Sequence, residues 1–158
     1  MTKRVRRAAG TQTFADLLRN PKRVVDQFLA DAPERARADV MAFDAGEPRA
    51  VTAYSREGGR FQRGILILDP AADSCVIWKP VRFAKESSVI DLVAPFRVHG
   101  VAPISGEDGR VDRDMFRLLS VEDSRRYWEL AIPAIDVPLV RRAISFSPTV
   151  SDQSIRTW

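Results

Sequence analysis

A series of short apolar runs, each the length of one strand, closes in a compact amphipathic helix, and that order leaves few folds open to the chain. The clearest pair is Arg60-Phe-Gln-Arg-Gly-Ile-Leu-Ile-Leu-Asp69 and Ser74-Cys-Val-Ile-Trp-Lys79, separated by a break at Pro70. Their β-branched and aromatic content predicts two antiparallel strands with a short connection. A strand signal at 50–54 precedes them, with Glu57-Gly58-Gly59 as a turn. Two more follow at 89–93 and 96–101, with Pro95 as a bend or edge residue. Gly106-Glu-Asp-Gly109 marks a loop, and 115–121 and 126–132 pair as a hairpin across 122–125. In the last strand Trp128, Leu130 and Ile132 point one way and Tyr127, Glu129 and Ala131 the other. Asp136 then caps a helix over 137–144, with Val137, Val140, Ala143 and Ile144 as its apolar stripe and Arg141 and Arg142 near its C-terminal end.

Ahead of the strands the pattern is helical. Thr13 is an N-cap with Asp16 three residues on, and Phe14, Leu17 and Leu18 share a face. Asn20-Pro21 restarts the helix, with Asn20 as cap and Pro21 in the first turn. Val24, Val25, Phe28 and Leu29 follow at helical spacing, and Asp31-Ala-Pro33 interrupts them. Residues 34–43 fit either structure: their Ala and Arg content favours helix, and 39–43 also reads as a strand. The chain therefore divides into a basic flexible arm (1–12), a helical segment (13–43), a β-rich barrel with its closing helix (49–146) and a polar tail (147–158), one globular domain in all.

The net charge of +4 has an uneven origin. Lys3, Arg4, Arg6 and Arg7 stand in a decapeptide without acids, which leaves 21 basic and 21 acidic residues from Thr11 onward. Basicity thus belongs to the arm, the candidate nucleic-acid contact, and not to a charged folded face. No apolar run reaches the roughly 20 residues of a membrane-spanning helix. No apolar core follows the basic start, so no secretory signal is read. The single cysteine, Cys75, lies in an apolar strand and reads as a buried hydrophobe, and the expected location is cytoplasmic.

Three segments carry a family likeness: Arg63-Gly64-Ile65, Val76-Ile77-Trp78-Lys79-Pro80, and Tyr127-Trp-Glu-Leu-Ala-Ile132 with the helix after it. From Phe61 to Pro148 the order of these elements resembles pleckstrin-homology-like domains, in particular an actinobacterial family that carries such a domain after an N-terminal membrane anchor. This chain has polar-faced helical segments where that family has its anchor. The resemblance implies an α+β fold, a mostly antiparallel barrel or sandwich with N-terminal helices and a C-terminal capping helix, and no catalytic residues. A second stretch, Phe14-Ala-Asp-Leu-Leu-Arg-Asn-Pro-Lys-Arg-Val-Val25 with a hairpin around Asp44-Ala-Gly-Glu-Pro48, is similar to small prevent-host-death antitoxins, which are DNA-binding dimers that also cover a toxin.

Residues with catalytic or ligating chemistry are sparse. His99 is the only histidine, and no nucleophile elbow accompanies it. One His and one Cys far apart supply no zinc site, and no cofactor motif is read. Glu107, Asp108, Asp112 and Asp114 lack the spacing of a calcium loop and are interleaved with Arg110 and Arg113, which reads as a solvated turn. Lys79, Arg82 and Lys85, close to Trp78 and Phe83, form the candidate ligand-binding surface for a phosphate or acidic peptide. Trp78 and Trp128 themselves read as core anchors. The expectation is a non-enzymatic binding or scaffold domain recognising a protein or anionic ligand. The alternative is an antitoxin-like DNA-binding regulator that uses the basic arm and first helices.

Overall fold

A computed structural model describes residues 5–8, 21–81, 89–104 and 111–146. Along the chain these form β1 (Arg6–Arg7), α1 (Pro21–Asp44), β2 (Arg49–Glu57), β3 (Arg60–Leu68), β4 (Val76–Pro80), β5 (Ile90–Leu92), β6 (Arg97–Pro103), β7 (Phe116–Glu122) and β8 (Tyr127–Pro133). A 3₁₀ turn (Ala134–Asp136) and α2 (Val137–Phe146) follow.

The strands make one curled, mainly antiparallel sheet in the order β5-β4-β3-β2-β8-β7-β6. Two meanders, β2 to β5 and β6 to β8, are joined where Tyr54 and Ser55 of β2 pair with Ala131 and Leu130 of β8. Loop chemistry sets the register. Gly58 and Gly59, with φ of 58° and 83°, make the two-residue turn that lets Glu57 pair with Arg60, a geometry that needs positive φ at both positions. The expected β3–β4 and β7–β8 hairpins are both present.

Alternation gives the sheet two buried faces. Val51, Leu66, Leu68, Val76, Trp78, Leu119, Val121, Trp128, Leu130 and Ile132 enter the main core, which α2 closes with Leu139, Val140 and Ala143. Phe61, Phe116 and Ala131 point outward into a second cluster with Ile104 and Val111. The Trp78 ring lies over Gly64, where any Cβ would overlap it. Trp78 and Trp128 are both core anchors, as their strands required.

Helix placement departs from the sequence reading. The break expected at Asp31-Ala-Pro33 does not occur: α1 runs through Pro33 to Asp44. An interior proline removes one helix hydrogen bond, and the Ala- and Arg-rich stretch after it, anchored by the fully buried Phe43, carries the helix on. The hairpin expected around Asp44–Pro48 is instead a helix C-cap. Glu47 N–H donates to the Ala42 carbonyl (2.9 Å) and Gly46 N–H to that of Phe43 (3.0 Å), with Gly46 at φ 94°, the pattern of a Schellman motif. Arg6 and Arg7, read as part of a flexible arm, form β1 and pair in parallel with Arg49 and Ala50. The helical start expected at 13–20 and the tail 147–158 lie outside the described residues.

β5 and β6 are consecutive in the chain yet occupy opposite ends of the sheet. Asp123, in the β7–β8 turn, bridges toward that opening. Its buried carboxylate accepts N–H groups from Val93 (3.0 Å), Arg125 (3.0 Å) and Arg126 (2.8 Å). Burial alone would raise its pKa, but the N–H donors of Val93, Arg126 and Arg125 outweigh it and hold the carboxyl below its ordinary 3.8. A depressed folded-state pKa contributes stability that is present above the ordinary value and lost as pH falls through the folded one. Urea melts should therefore show stability falling below pH 3.8, with a shallower fall in Asp123→Asn. At neutral pH that variant is expected to be about 1–3 kcal/mol less stable. Equal acid dependence in the two proteins would remove Asp123 as the linkage group.

Candidate functional site

An open apolar cleft lies between α1 and the β8–α2 junction. Six α1 residues form one wall: Ala32, Pro33, Ala36, Arg37, Val40 and Met41. Ala134 and Ile135 of the 3₁₀ turn and Pro138 of α2 form the other, around a cleft of about 750 Å³. Its cause is local. The α1 positions recur at helical spacing, and Ala32, Ala36 and Ala134 are too short to fill the space between the walls. Met41 is 72% exposed, with a flexible and polarisable side chain of the kind that adapts to bound apolar groups. Arg37 is the one charged residue among the described residues of the lining.

α1 is held in place by polar contacts as well as by packing. Arg49 donates from Nε to Asp39 Oδ1 (3.0 Å), from Nη1 to the Pro48 carbonyl (3.1 Å) and from Nη2 to Glu47 Oε2 (3.3 Å). Arg142 of α2 donates to Asp44 (2.8 Å), and the rings of Phe43 and Phe146 meet edge to face at 5.5 Å. The two walls therefore belong to elements joined at one end.

The basic surface expected at Lys79, Arg82 and Lys85 is described only at Lys79, since Arg82, Lys85 and Phe83 lie outside the described residues. Lys79 is exposed on β4 directly opposite Ile65. The register adds Arg63, exposed two residues along β3 on the same face, so the second cation comes from the neighbouring strand. Sequence order alone hides that pair, and the Gly64–Pro80 pairing is what brings it together. In the arm, Arg6 and Arg7 are exposed on β1, and Lys3 and Arg4 lie outside the described residues.

His99 is exposed. Its Nε2 lies 3.2 Å from Glu122 Oε2 and its ring 5.3 Å from that of Tyr127, so its neighbours are a surface carboxylate and a phenol. Burial, reinforced by the Asp69 carboxylate, pushes the Cys75 thiol up to about 11, which keeps it protonated and poorly nucleophilic at neutral pH. Asp112 Oδ1 accepts the Asp114 N–H (2.8 Å) in the turn leading into β7, while Glu107 and Asp108 lie outside the described residues. No group of potential metal ligands occurs among the described residues. No helix among them is long and apolar enough to cross a membrane.

The chain matches no known protein family and none of the curated proteins with which it was compared.

Proposed function

We propose that the chain is a non-enzymatic binding domain of pleckstrin-homology-like architecture, and that recognition centres on the aliphatic cleft beside α1. The cleft, with Arg37 as the one cation among its described residues, carries this reading. Its volume of about 750 Å³ lies in the range of small-ligand sites, roughly 300–1,000 Å³. A standard protein–protein contact engages about 20–30 residues a side, far more than the nine described residues that line this cleft. An anionic ligand with a large apolar part therefore fits better than a globular partner. Arg63 and Lys79, on the outer face of the sheet, would add a second positive surface for an acidic partner.

Anilinonaphthalene sulfonate, an apolar dye with one negative charge, tests this. Its fluorescence should rise saturably with one dye per chain and be lost in Ala36→Trp, which fills the cleft, while the melting temperature stays near that of the native chain. Equal dye binding by both proteins would place the dye elsewhere and remove the cleft as the site. The antitoxin-like alternative rests on Arg6 and Arg7, both exposed on β1. Duplex binding that weakens steeply with salt and disappears in Arg6→Glu/Arg7→Glu would favour it over the cleft.

A further inference from the structure

Resting on the second reading above, in which the basic arm contacts a duplex, we infer that β1 is a releasable strap: a nucleic-acid phosphate backbone takes the N-terminal segment once it has left the sheet. Side-chain direction carries the argument. Successive side chains of a strand point to opposite faces. Arg6 stands opposite Arg49 and Arg7 opposite Ala50 in a parallel ladder, so Arg6 shares the face of Arg49 and Arg7 takes the other. Both arginines are exposed. While β1 is paired, the two guanidiniums point to different sides of the sheet, and one backbone cannot engage both. Once released, the segment can turn them together toward phosphates, and Lys3 and Arg4 add to them in a decapeptide without acids.

The docked strand is lightly held and yet covers something. β1 is two residues long and pairs in parallel, whereas the other ladders among the described residues are antiparallel. Parallel pairing is slightly less stable per residue. β3 pairs along the whole of β2, so β1 lies on the edge that β8 shares, where β8 meets Tyr54 and Ser55 and β1 meets Arg49 and Ala50. Docking also buries Ala8 fully in the main core and lets its N–H donate to the Ala50 carbonyl (2.9 Å). A duplex that takes both arginines therefore uncovers the Ala8 place and this end of β2. Its apparent affinity is reduced by the fraction of molecules in which the strap is open.

Amide exchange at Ala8 in the full chain, with and without a saturating short DNA duplex at low salt, tests this. Exchange at Ala8 should quicken about tenfold or more on binding, while the amides of β3 and β7 keep their rates. Ala8→Gln, unchanged in charge but too large and polar for the buried place, should raise the open fraction. If that fraction is about a tenth in the native chain, the variant binds duplex about tenfold more tightly. Arg6→Gln/Arg7→Gln should abolish binding. An Ala8 amide that stays protected in the bound chain, or an Ala8→Gln protein that binds no more tightly, would overturn the strap and leave the arm as a duplex contact. A native chain that binds no duplex, or binds phosphatidylglycerol vesicles instead, would overturn both the strap and the arm reading.

Discussion

Val140→Asp should lower the stability of the domain by about 4–5 kcal/mol, comparable with the whole net stability of many domains of this size. Val140 is fully buried on α2, in the same cluster as Trp128, Leu130 and Ile132 of the sheet. A carboxylate there loses its hydration and gains no cation, so it either ionises at great cost or takes up a proton and still leaves a polar group unpaired. For a chain of 158 residues the loss corresponds to a drop in Tm of about 10–20 °C. Arg142→Asp is the control on the opposite face. Arg142 is exposed and pairs with Asp44 at 2.8 Å, both side chains being roughly two-fifths exposed, and such surface pairs contribute about 0–1 kcal/mol. Reversal places two acids together near a helix C-terminus, for a cost of about 1 kcal/mol. Thermal melts separate the two cases. Similar melting of both variants would mean that α2 does not close the core.

That contrast is legible in the amino-acid sequence because α2 repeats at helical spacing and its neighbours alternate at strand spacing. The same periodicities place the strands from β2 to β8 and orient Trp128, Leu130 and Ile132 inward. Single-residue rules are weaker guides than period. Pro33 is a helix breaker taken alone, yet Phe43, ten residues later, buries completely and fixes the helix phase across it. Arg6 and Arg7 carry no strand pattern. They pair through backbone groups beside β2, continued by the Ala8 N–H bonded to the Ala50 carbonyl at 2.9 Å, and only the tertiary structure brings these together. The cleft is hidden in the sequence for a related reason. It needs α1 continuous through Pro33 and set against the 3₁₀ turn, so a helix ending at Asp31 would have no wall to offer. Arg63 and Lys79 are each visible as cations, but their adjacency depends on strand register, which residue order does not contain.

The ion cluster at Arg49 leads to the second large effect. Composition counts Arg49 as one more surface charge at the start of a strand, yet the residue is 7% exposed and donates to Asp39, Glu47 and the Pro48 carbonyl together. It ties the last turns of α1 to the first residue of β2, and β1 pairs at the same place. Arg49→Met keeps the aliphatic stem but removes the guanidinium shared by Asp39, whose side chain is 13% exposed, Glu47 and the Pro48 carbonyl. Breaking a buried pair costs about 3–5 kcal/mol when the remaining charge is left alone, and the lower end, about 3 kcal/mol, is expected because Asp39 keeps a further contact. Asp39→Asn alone should cost less, since Arg49 keeps its bonds to Glu47 and Pro48. The double variant should recover part of the Arg49→Met loss, with a coupling of about 1–2 kcal/mol between the sites. Urea denaturation of the four proteins measures that coupling. Strict additivity would mean the two side chains do not act as a pair. An Arg49→Met protein as stable as the native chain would show that α1, and with it one wall of the cleft, is held by the burial of Phe43 and its neighbours alone.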